Sequence, residues 1–328
     1  MRFRTEIEPL NRKGTIDHKT KILLVGSCFT DEIGNRLRNG MFDVEVNPFG
    51  TLYNPESIAN EISSTINEIH FTDEDFFIEG EKWHTFRRHS RFSMADKQVM
   101  VSNLNDDIDR FKDYLLQTDI LIVTFGSAIA FRHKESNQIV ANCHKCNSNN
   151  FNRESFSVDQ IVCRWTALIN QLREQNPNLK VIFTVSPVRH SGYGLVADRI
   201  SKSTLILACN QLVNALPNTY YFPSYEIMVD DLRDYRFYKD DLVHPSELAV
   251  DYIYDIFMQS FTSPTTIAYA TRWEKVTARL YHKMPEGKER DEFRKATFEV
   301  ASKLATESNN SEILIHRFST LSESLSND

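Results

Sequence analysis

The segment Lys21-Ile-Leu-Leu-Val-Gly-Ser27 places a short apolar run directly before a glycine turn. A run that is apolar at every position predicts a strand buried on both faces, as in parallel sheets. Residues 119–125 and 180–185 repeat this pattern, and shorter strands are expected at 42–46 and 219–222. Segments with helical spacing lie between these runs. The alternation predicts an α/β fold, a three-layer α/β/α sandwich around a mainly parallel sheet.

Two regions depart from this alternation. Residues 71–104 contain aromatic segments on either side of the turn at 79–81, which predicts a hairpin insertion. After residue 262 the chain becomes polar and helical, and from about residue 307 it is rich in serine and asparagine. We therefore expect one domain over residues 1–262 and a helical C-terminal extension over residues 263–328 that ends in a disordered tail.

Composition excludes several classes of protein. The 328 residues are 41% hydrophobic and 25% charged, as in globular proteins, and the net charge of −7 without a long basic run argues against nucleic acid as a ligand. The longest apolar runs are far short of the ~20 residues that span a bilayer. Residues 1–6 show no apolar signal segment. Five cysteines without a framework spacing favour a reducing compartment. We expect a cytoplasmic protein without a membrane partner.

Candidate catalytic residues follow the predicted strands, because ligands of parallel sheets bind beyond the carboxyl ends of the strands. Ser27 lies in a tight turn between a strand and a helix, where a nucleophile and a charge-stabilising amide are well placed. The segment Asp241-Leu-Val-His244 supplies a base, since a carboxylate three residues before an imidazole can hold its tautomer while the imidazole accepts the serine proton.

The segment Gly26-Ser-Cys-Phe-Thr30 resembles the signature of the GSCFA family, in which the fifth residue is usually alanine. The likeness extends over about residues 1–265. It also includes the segments Asn47–Pro55, Ala141–Lys145, Ser186–Val188, Tyr221–Glu226, Leu232–Tyr238 and His244–Ser246. The GSCFA family is similar to the SGNH, or GDSL-like, hydrolases. The resemblance therefore implies an SGNH-like fold with ester-hydrolysing activity.

The same resemblance implies roles for individual residues. Ser27 matches the nucleophile of the first SGNH block, and Asp241 and His244 match the last block. If the register is shifted by one residue, Cys28 becomes the nucleophile; Ser27 is preferred because the family signature keeps a serine directly after the glycine. Gly50 matches the second block, and its amide is expected in the oxyanion hole with the amide of Ser27.

The third block departs from the SGNH pattern. Gly126-Ser127-Ala128 stands where those enzymes have Gly-x-Asn, so one oxyanion donor is missing. Gly126 and Ser127 are still expected at the substrate-binding edge, and Asn142 is the candidate replacement for the missing donor. Loss of such a donor typically costs about 2.7–4 kcal/mol of transition-state stabilisation.

The predicted function is a serine hydrolase acting on a small-molecule or carbohydrate-linked ester, as an esterase or O-deacetylase. This chemistry requires no metal or organic cofactor. Two alternatives remain open. One is an O-acyltransferase with the same triad, and the other is a non-catalytic binding protein that retains the fold.

Three further groups of residues are alternatives or additions to this site. Cys143 and Cys146 form one CxxC pair, which supplies only two of the four ligands of a structural zinc site. His190 is a rival base, although no carboxylate lies close to it in sequence. The basic insertion is interpreted either as a charged hairpin edge or as a lid that meets an acidic or sugar substrate. Its basic residues are His84, Arg87, Arg88, His89 and Arg91.

Overall fold

The computed structural model describes residues 5–282, 287–308 and 310–325. Its strands are β1 (Lys21–Gly26), β2 (Asp43–Val46), β3 (Phe77–Glu79), β4 (Lys82–His84), β5 (Ile120–Phe125), β6 (Ile129–His133), β7 (Ile139–Val140), β8 (Phe151–Ser155), β9 (Lys180–Val185) and β10 (Thr219–Phe222). The main sheet has the strand order β10-β9-β5-β1-β2, and the pairs β1–β5, β5–β9 and β9–β10 are all parallel.

Helices connect these strands. They are α1 (Cys28–Asn39), α2 (Pro55–Ile66), α3 (Lys97–Leu116), α4 (Val158–Gln175), α5 (Leu195–Ala215), the short α6 (Ser224–Glu226), α7 (Glu247–Phe261), α8 (Pro264–Thr277), α9 (Lys288–Ala305) and α10 (Ser311–Ser324). A π-helical turn, Ile227–Leu232, follows α6. The start of α2 is fixed locally: the Asn54 side chain accepts a hydrogen bond from the Ser57 amide, and Pro55 occupies the first helical position.

The central strands are buried on both faces, which explains their continuous apolarity. Leu23 of β1, Leu121 of β5 and Val181 of β9 lie in one core cluster with side chains of α2, α3, α4 and α5. Their sequence neighbours Ile22 and Ile120 point to the other face and are fully buried as well. The predicted α/β class, a mainly parallel sheet with helices on both sides, is confirmed.

The insertion contains the predicted hairpin, in which Phe77 of β3 pairs with His84 of β4. However, α3 begins at Lys97, so residues 97–104 are helical. Met100 and Leu104 of this helix pack against Phe71 and Phe76 to give the insertion its own small core. The chain after Gly126 forms a separate antiparallel sheet of three strands in the order β7-β6-β8.

The described chain forms two compact units. The first comprises residues 5–8, Lys21–Glu32 and Glu45–Ile253; the second comprises Pro9–Thr20, Ile33–Val44 and the chain from Tyr254 onward. The main sheet's β1, β5, β9 and β10 belong to the first unit. The predicted domain boundary at residue 262 stays a prediction.

The C-terminal segment is more ordered than its composition indicates. Trp273, Leu304, Leu314 and Phe318 share a buried cluster within the second unit. The prediction of a disordered tail is therefore wrong for the residues of α10, whose apolar side chains recur at helical spacing and are buried. The part of the expected tail at 309 and 326–328 lies outside the described residues.

No helix within the described ranges combines the length and apolar character needed to cross a bilayer.

Candidate active site

The turn that ends β1 is set by a close approach of two backbones. Gly26 has a φ of 140°, and a Cβ atom there would lie 2.2 Å from the carbonyl oxygen of Thr124. The Ser27 amide then donates to this same oxygen over 3.1 Å, which extends the β1–β5 ladder by one residue. Helix α1 begins at the next residue, Cys28. The sheet therefore places Cys28, rather than Ser27, at the helix N-terminus.

Because Cys28, and not Ser27, is the first residue of α1, the Cys28 side chain is the one that contacts the His244 imidazole. The Sγ atom of Cys28 lies 3.7 Å from Nε2 of His244, within hydrogen-bond distance for sulfur. Ser27 is 1% exposed, and its hydroxyl has no hydrogen-bond partner in the described chain. The contact expected between Ser27 and His244 is thus replaced by one between Cys28 and His244. Of the two registers left open by the sequence, the geometry favours the second.

Asp241 and His244 make the expected pair. Oδ2 of Asp241 accepts from Nδ1 of His244 at 2.7 Å, and Oδ1 accepts from the amides of Val243 and His244, each at 2.9 Å. These hydrogen bonds lower the pKa of Asp241 to about 2. The intervening Leu242 has a φ of 60°, in the left-handed region, which closes the turn tightly enough for all three bonds. An ionised Asp241 therefore holds Nε2 of His244 toward Cys28.

The Cys28 thiol is protonated in the resting site. Burial is the main cause that raises its pKa, and the carboxylate of Asp31, one helical turn further on, raises it again. The backbone amides of Cys28 and Phe29 act in the opposite direction, because N–H groups at a helix N-terminus stabilise a thiolate. The raising effects prevail, so the thiolate forms only when a base removes the proton.

The loop after β2 is tied to the end of β1 by Asn47. Its Oδ1 accepts from the Gly26 amide at 2.8 Å, and its Nδ2 donates to Asp31 at 3.0 Å. Gly50 closes this loop with a φ of 78°, and a Cβ atom there would lie 2.4 Å from Cβ of His89. The Gly50 amide donates to the Asn47 carbonyl oxygen over 2.8 Å.

The predicted oxyanion donors are consequently committed elsewhere. The Gly50 amide is used within its own turn, and the Ser27 amide is used by the Thr124 carbonyl. An N–H group that is aligned with a backbone carbonyl does not also face a substrate, so these contacts give no support to the two predicted roles.

Gly126 and Ser127 lie at the carboxyl end of β5, where they were expected, but their polar groups bond to the protein. Both amides donate to the Tyr53 carbonyl oxygen, over 2.8 and 3.0 Å. The Gly126 carbonyl oxygen accepts from the ammonium group of Lys202 at 2.7 Å, and the Ser186 carbonyl oxygen accepts from the same group at 2.7 Å. These two residues thus shape the edge of the sheet.

Lys202 was missed by sequence reasoning. It is 0% exposed, and burial lowers its pKa to about 7. A signal was present, since Asp198, Ser201 and Lys202 share the buried face of α5 with Leu205 at helical spacing. Polar residues on an inward face indicate a polar partner inside the protein.

The contacts described for Asn142 support a turn of its own segment rather than the site at Cys28. Its Oδ1 accepts from the His144 amide at 2.8 Å and so supports the turn from Cys143 to Cys146, in which His144 and Lys145 are left-handed. None of its described contacts reaches the Cys28 site. The predicted role of Asn142 as oxyanion donor therefore gains no support. Within the described residues, no group of three or more His, Cys, Asp or Glu side chains is arranged to hold a metal ion.

Tyr53 and His190 complete the surroundings of the thiol. Their rings meet edge to face, with centroids 5.5 Å apart. Burial raises the pKa of Tyr53, and the nearby Cys28 raises it further. Burial is the main cause that lowers the pKa of His190 to about 4, and the nearby Lys202 and His244 lower it by smaller amounts. At neutral pH both side chains are uncharged, so His190 is a weaker base candidate than a histidine paired with a carboxylate.

The basic insertion is anchored rather than solvated. Arg88 is 1% exposed and its guanidinium lies 2.8 Å from Glu61 of α2, while Arg87 approaches the same carboxylate at 3.2 Å. Arg91 donates to the Asn47 carbonyl oxygen at 2.5 Å. The interpretation as a solvated hairpin edge is therefore wrong for Arg88. These contacts fasten the insertion against α2 and the loop after β2.

The fold and this geometry define an α/β protein with a thiol, an imidazole and a carboxylate aligned at the carboxyl edge of a parallel sheet. The model of the GSCFA family matches residues 21–257, a range that contains Cys28, Asp241 and His244. The chain belongs to the GSCFA family.

Comparison with solved structures finds similar chains at low sequence identity. A carbohydrate esterase of family 3 from Talaromyces cellulolyticus is 12% identical, with a TM-score of 0.34 over 77% of this chain and 98% of that one. An acetyl esterase variant with an acetate ion is 13% identical, with a TM-score of 0.34 over 77% and 98%. A family two carbohydrate esterase from Clostridium thermocellum, in complex with cellohexaose, is 14% identical, with a TM-score of 0.29 over 78% and 65%. A comparison with curated protein sequences found no match.

Proposed function

We propose that this protein is an acyl-ester hydrolase of the SGNH type whose nucleophile is the thiol of Cys28. The observation that carries the proposal is the alignment of three groups. Sγ of Cys28 lies 3.7 Å from Nε2 of His244, and Nδ1 of His244 lies 2.7 Å from Asp241. A nucleophile, a base and a group that orients the base are the parts that covalent acyl transfer requires.

The reaction has two half-reactions. In the first, Nε2 of His244 accepts the thiol proton as the Cys28 sulfur forms a bond to the ester carbonyl carbon. The tetrahedral intermediate collapses when the C–O bond to the leaving group breaks, and His244 gives its proton to the leaving oxygen. In the second, His244 accepts a proton from water, which attacks the thioester. The acid leaves, and the proton returns to the Cys28 sulfur.

Negative charge on the carbonyl oxygen needs donors that are in place before the reaction. The first amides of α1 meet this need, because their N–H groups have no partner within the helix and carry the positive end of its dipole. Cys28 belongs to that first turn. Its own amide is therefore the first candidate donor, in the position that sequence reasoning had assigned to the amide of Ser27.

The raised pKa of Cys28 makes His244 a general base rather than one half of a resting ion pair. A thiol that stays protonated at neutral pH needs an acceptor within reach during attack. A reduced thiol also requires a reducing compartment, which agrees with the cytoplasmic location expected from the cysteine usage. We infer an ester linked to a small molecule or a carbohydrate as the substrate.

The test compares Cys28→Ala with Ser27→Ala. Purified proteins are assayed against 4-nitrophenyl esters of increasing acyl length and against O-acetylated carbohydrates. Cys28→Ala is expected to lower kcat at least 10³-fold, as loss of a nucleophile does. Ser27→Ala should retain most of the activity, because its hydroxyl contacts no reacting group. Iodoacetamide followed by mass spectrometry should modify Cys28 and abolish turnover in parallel.

Three outcomes decide between this proposal and the alternatives. Full activity in Cys28→Ala with loss in Ser27→Ala would return the nucleophile to Ser27. Absence of turnover with every ester, and of any burst of 4-nitrophenol, would favour a binding protein that retains the fold. Formation of a new ester when an acceptor alcohol is added, at the expense of free acid, would identify an acyltransferase with the same triad.

A further inference from the structure

A cavity of about 490 Å³ lies beside the turn that carries the catalytic carboxylate. Asp241, Leu242 and Val243 form one wall, and Arg199 of α5 and Arg233 after the π-helix contribute to the others. Its volume falls in the range of small-molecule sites, about 300–1,000 Å³. The cavity therefore adjoins the proposed active site through the same turn that positions His244.

The arginines of this cavity differ in how far they are already neutralised. Arg189 is paired with the buried carboxylate of Asp198 at 2.6 Å. Arg233 lies 3.7 Å from the exposed Asp230. Arg199 lies over the ring of Tyr225, with its guanidinium carbon 5.5 Å from the ring centroid, and makes no ion pair with a described carboxylate. Arg199 is thus the cation most available to a ligand.

The carboxylates on the cavity wall are already engaged. Asp241 accepts three hydrogen bonds from its own turn. Asp234 accepts from the Arg236 amide at 3.0 Å and lies 3.9 Å from the Arg236 guanidinium. Neither carboxylate neutralises Arg199. The ionised Asp241 keeps its negative charge, but the three arginines Arg189, Arg199 and Arg233 outnumber the two carboxylates in the lining, so the formal charge of the cavity wall is positive.

Part of the backbone that lines the cavity has an uncommon conformation. Ile227–Leu232 forms a π-helical turn, a conformation that is rare and often found at functional sites. It ends at Arg233, which has a φ of 52°, and Leu242, which lines the same cavity, has a φ of 60°. Large side chains seldom adopt left-handed backbone, and such strain tends to cluster where ligands bind.

We propose that this cavity binds an anionic group, a phosphate or a carboxylate, on the part of the acyl substrate that is not cleaved. The inference rests on the proposed function and deepens it by naming a substrate class. Arg199 is the principal contact, because a planar guanidinium pairs with either anion through two parallel hydrogen bonds. Leu195, which is 62% exposed, and the half-buried Val229 on the cavity wall offer apolar surface to the body of the same molecule.

The test uses three esters that differ only in the group at C6: an O-acetylated hexose, its 6-phosphate, and the corresponding hexuronic acid, of which the last two are anionic. Wild type should turn over at least one charged ester about ten-fold more efficiently than the neutral one, measured as kcat/KM. Arg199→Gln should lower this preference about ten-fold, with most of the change in KM. The two charged esters distinguish phosphate from carboxylate as the group bound.

A matched control is available in Arg153. Its exposed guanidinium also lies over a tyrosine ring, 5.3 Å from the centroid of Tyr193, but outside the cavity. Arg153→Gln should keep the wild-type preference. Arg233→Gln provides a second variant within the cavity, should Arg199→Gln fold poorly, and should lower the preference in the same direction.

Binding is measured separately, so that failure of the inference and failure of the proposed function can be told apart. Calorimetry with Cys28→Ala, which leaves the esters intact, should show tighter binding of a charged ester, and Arg199→Gln in that background should weaken it about ten-fold. If no ester is turned over but this binding pattern holds, the inference stands without the catalytic proposal. Equal binding and turnover of all three esters, in wild type and Arg199→Gln alike, would overturn the inference.

Discussion

Replacing Asp31 by asparagine should make the Cys28 thiol easier to ionise, because the Asp31 carboxylate raises the pKa of that thiol. Side chains three residues apart on a helix are about 5–6 Å from each other. At that distance, in a half-buried site, two unit charges interact by on the order of 1 kcal/mol. Removing one therefore raises the thiolate fraction at neutral pH by about five-fold.

The observed rate should rise less than the thiolate fraction. The reactivity of a thiolate falls with its basicity, with a Brønsted coefficient of about 0.4–0.5. A five-fold gain in thiolate thus becomes a gain of about two-fold in the alkylation rate at neutral pH. At alkaline pH, where both thiols are ionised, the variant should be about two-fold slower than wild type. The two pH profiles are therefore expected to cross, which a general change in accessibility would not produce.

The assay follows iodoacetamide modification of Cys28 by peptide mass spectrometry from about pH 5 to pH 10. Asparagine keeps an Oδ1 acceptor for the Nδ2 donor of Asn47, so the loop after β2 should stay in place. Glu32→Gln should shift the profile in the same direction but less, since Glu32 is a weaker cause of the raised pKa. Asp109→Asn, on α3, should not shift it. A slower reaction of Asp31→Asn at neutral pH would refute the electrostatic reasoning.

Three further predictions concern the residues that support the site. Asp241→Asn should lower kcat by about 10³–10⁴, because an amide favours the wrong tautomer of His244; steady-state kinetics that match wild type would contradict this. Lys202→Met should lower the free energy of unfolding at pH 7 by about 2 kcal/mol, since two carbonyls lose their donor. The pKa of Lys202 is about 7 in the folded protein and its ordinary value is 10.5, so unfolding takes up a proton between these values and wild-type stability should rise with pH there. Urea titrations at pH 7 and pH 9 should show this rise in wild type and a smaller one in Lys202→Met. Gly50→Ala should destabilise the fold by about 2 kcal/mol or more, whereas Gly80→Ala, which is also left-handed but has open space around it, should cost about 1 kcal/mol in the same titrations.

The parts of the fold that could be predicted are those in which local pattern and burial agree. The runs at residues 21–25 and 180–185 are apolar because both faces of these strands are covered, so a short sequence reports its environment directly. The start of α2 is equally accessible to prediction, because Asn54 caps the helix and Pro55 opens it within a single turn of the chain. The sequence pair Asp241 and His244 was also found, since its geometry depends on a single turn.

The choice of Cys28 over Ser27 as the proposed nucleophile could not be made from the sequence in the same way, because it depends on contacts between residues that are distant in sequence. Thr124 of β5 accepts from the Ser27 amide, and α1 begins at the next residue, Cys28, whose sulfur lies 3.7 Å from Nε2 of His244. The sequence of residues 26–30 alone does not indicate that this segment contacts β5. The role expected for the Gly50 amide could not be judged from the sequence for a related reason. Only the folded turn shows that this amide already donates a hydrogen bond to the Asn47 carbonyl oxygen.

The electrostatics of the site follow from the position of Cys28 at the start of α1. A thiol in the first turn of α1 faces two opposing influences, the amides of the helix terminus and the carboxylate of Asp31 on the next turn. Because the second prevails together with burial, the resting site keeps its proton on sulfur. The pKa of Asp241 is about 2, so the orientation of His244 holds throughout the pH range in which an ester assay is practical. The pH dependence of acylation should then report proton transfer from Cys28 to His244, and Asp31→Asn should move that dependence to lower pH in turnover as it does in alkylation.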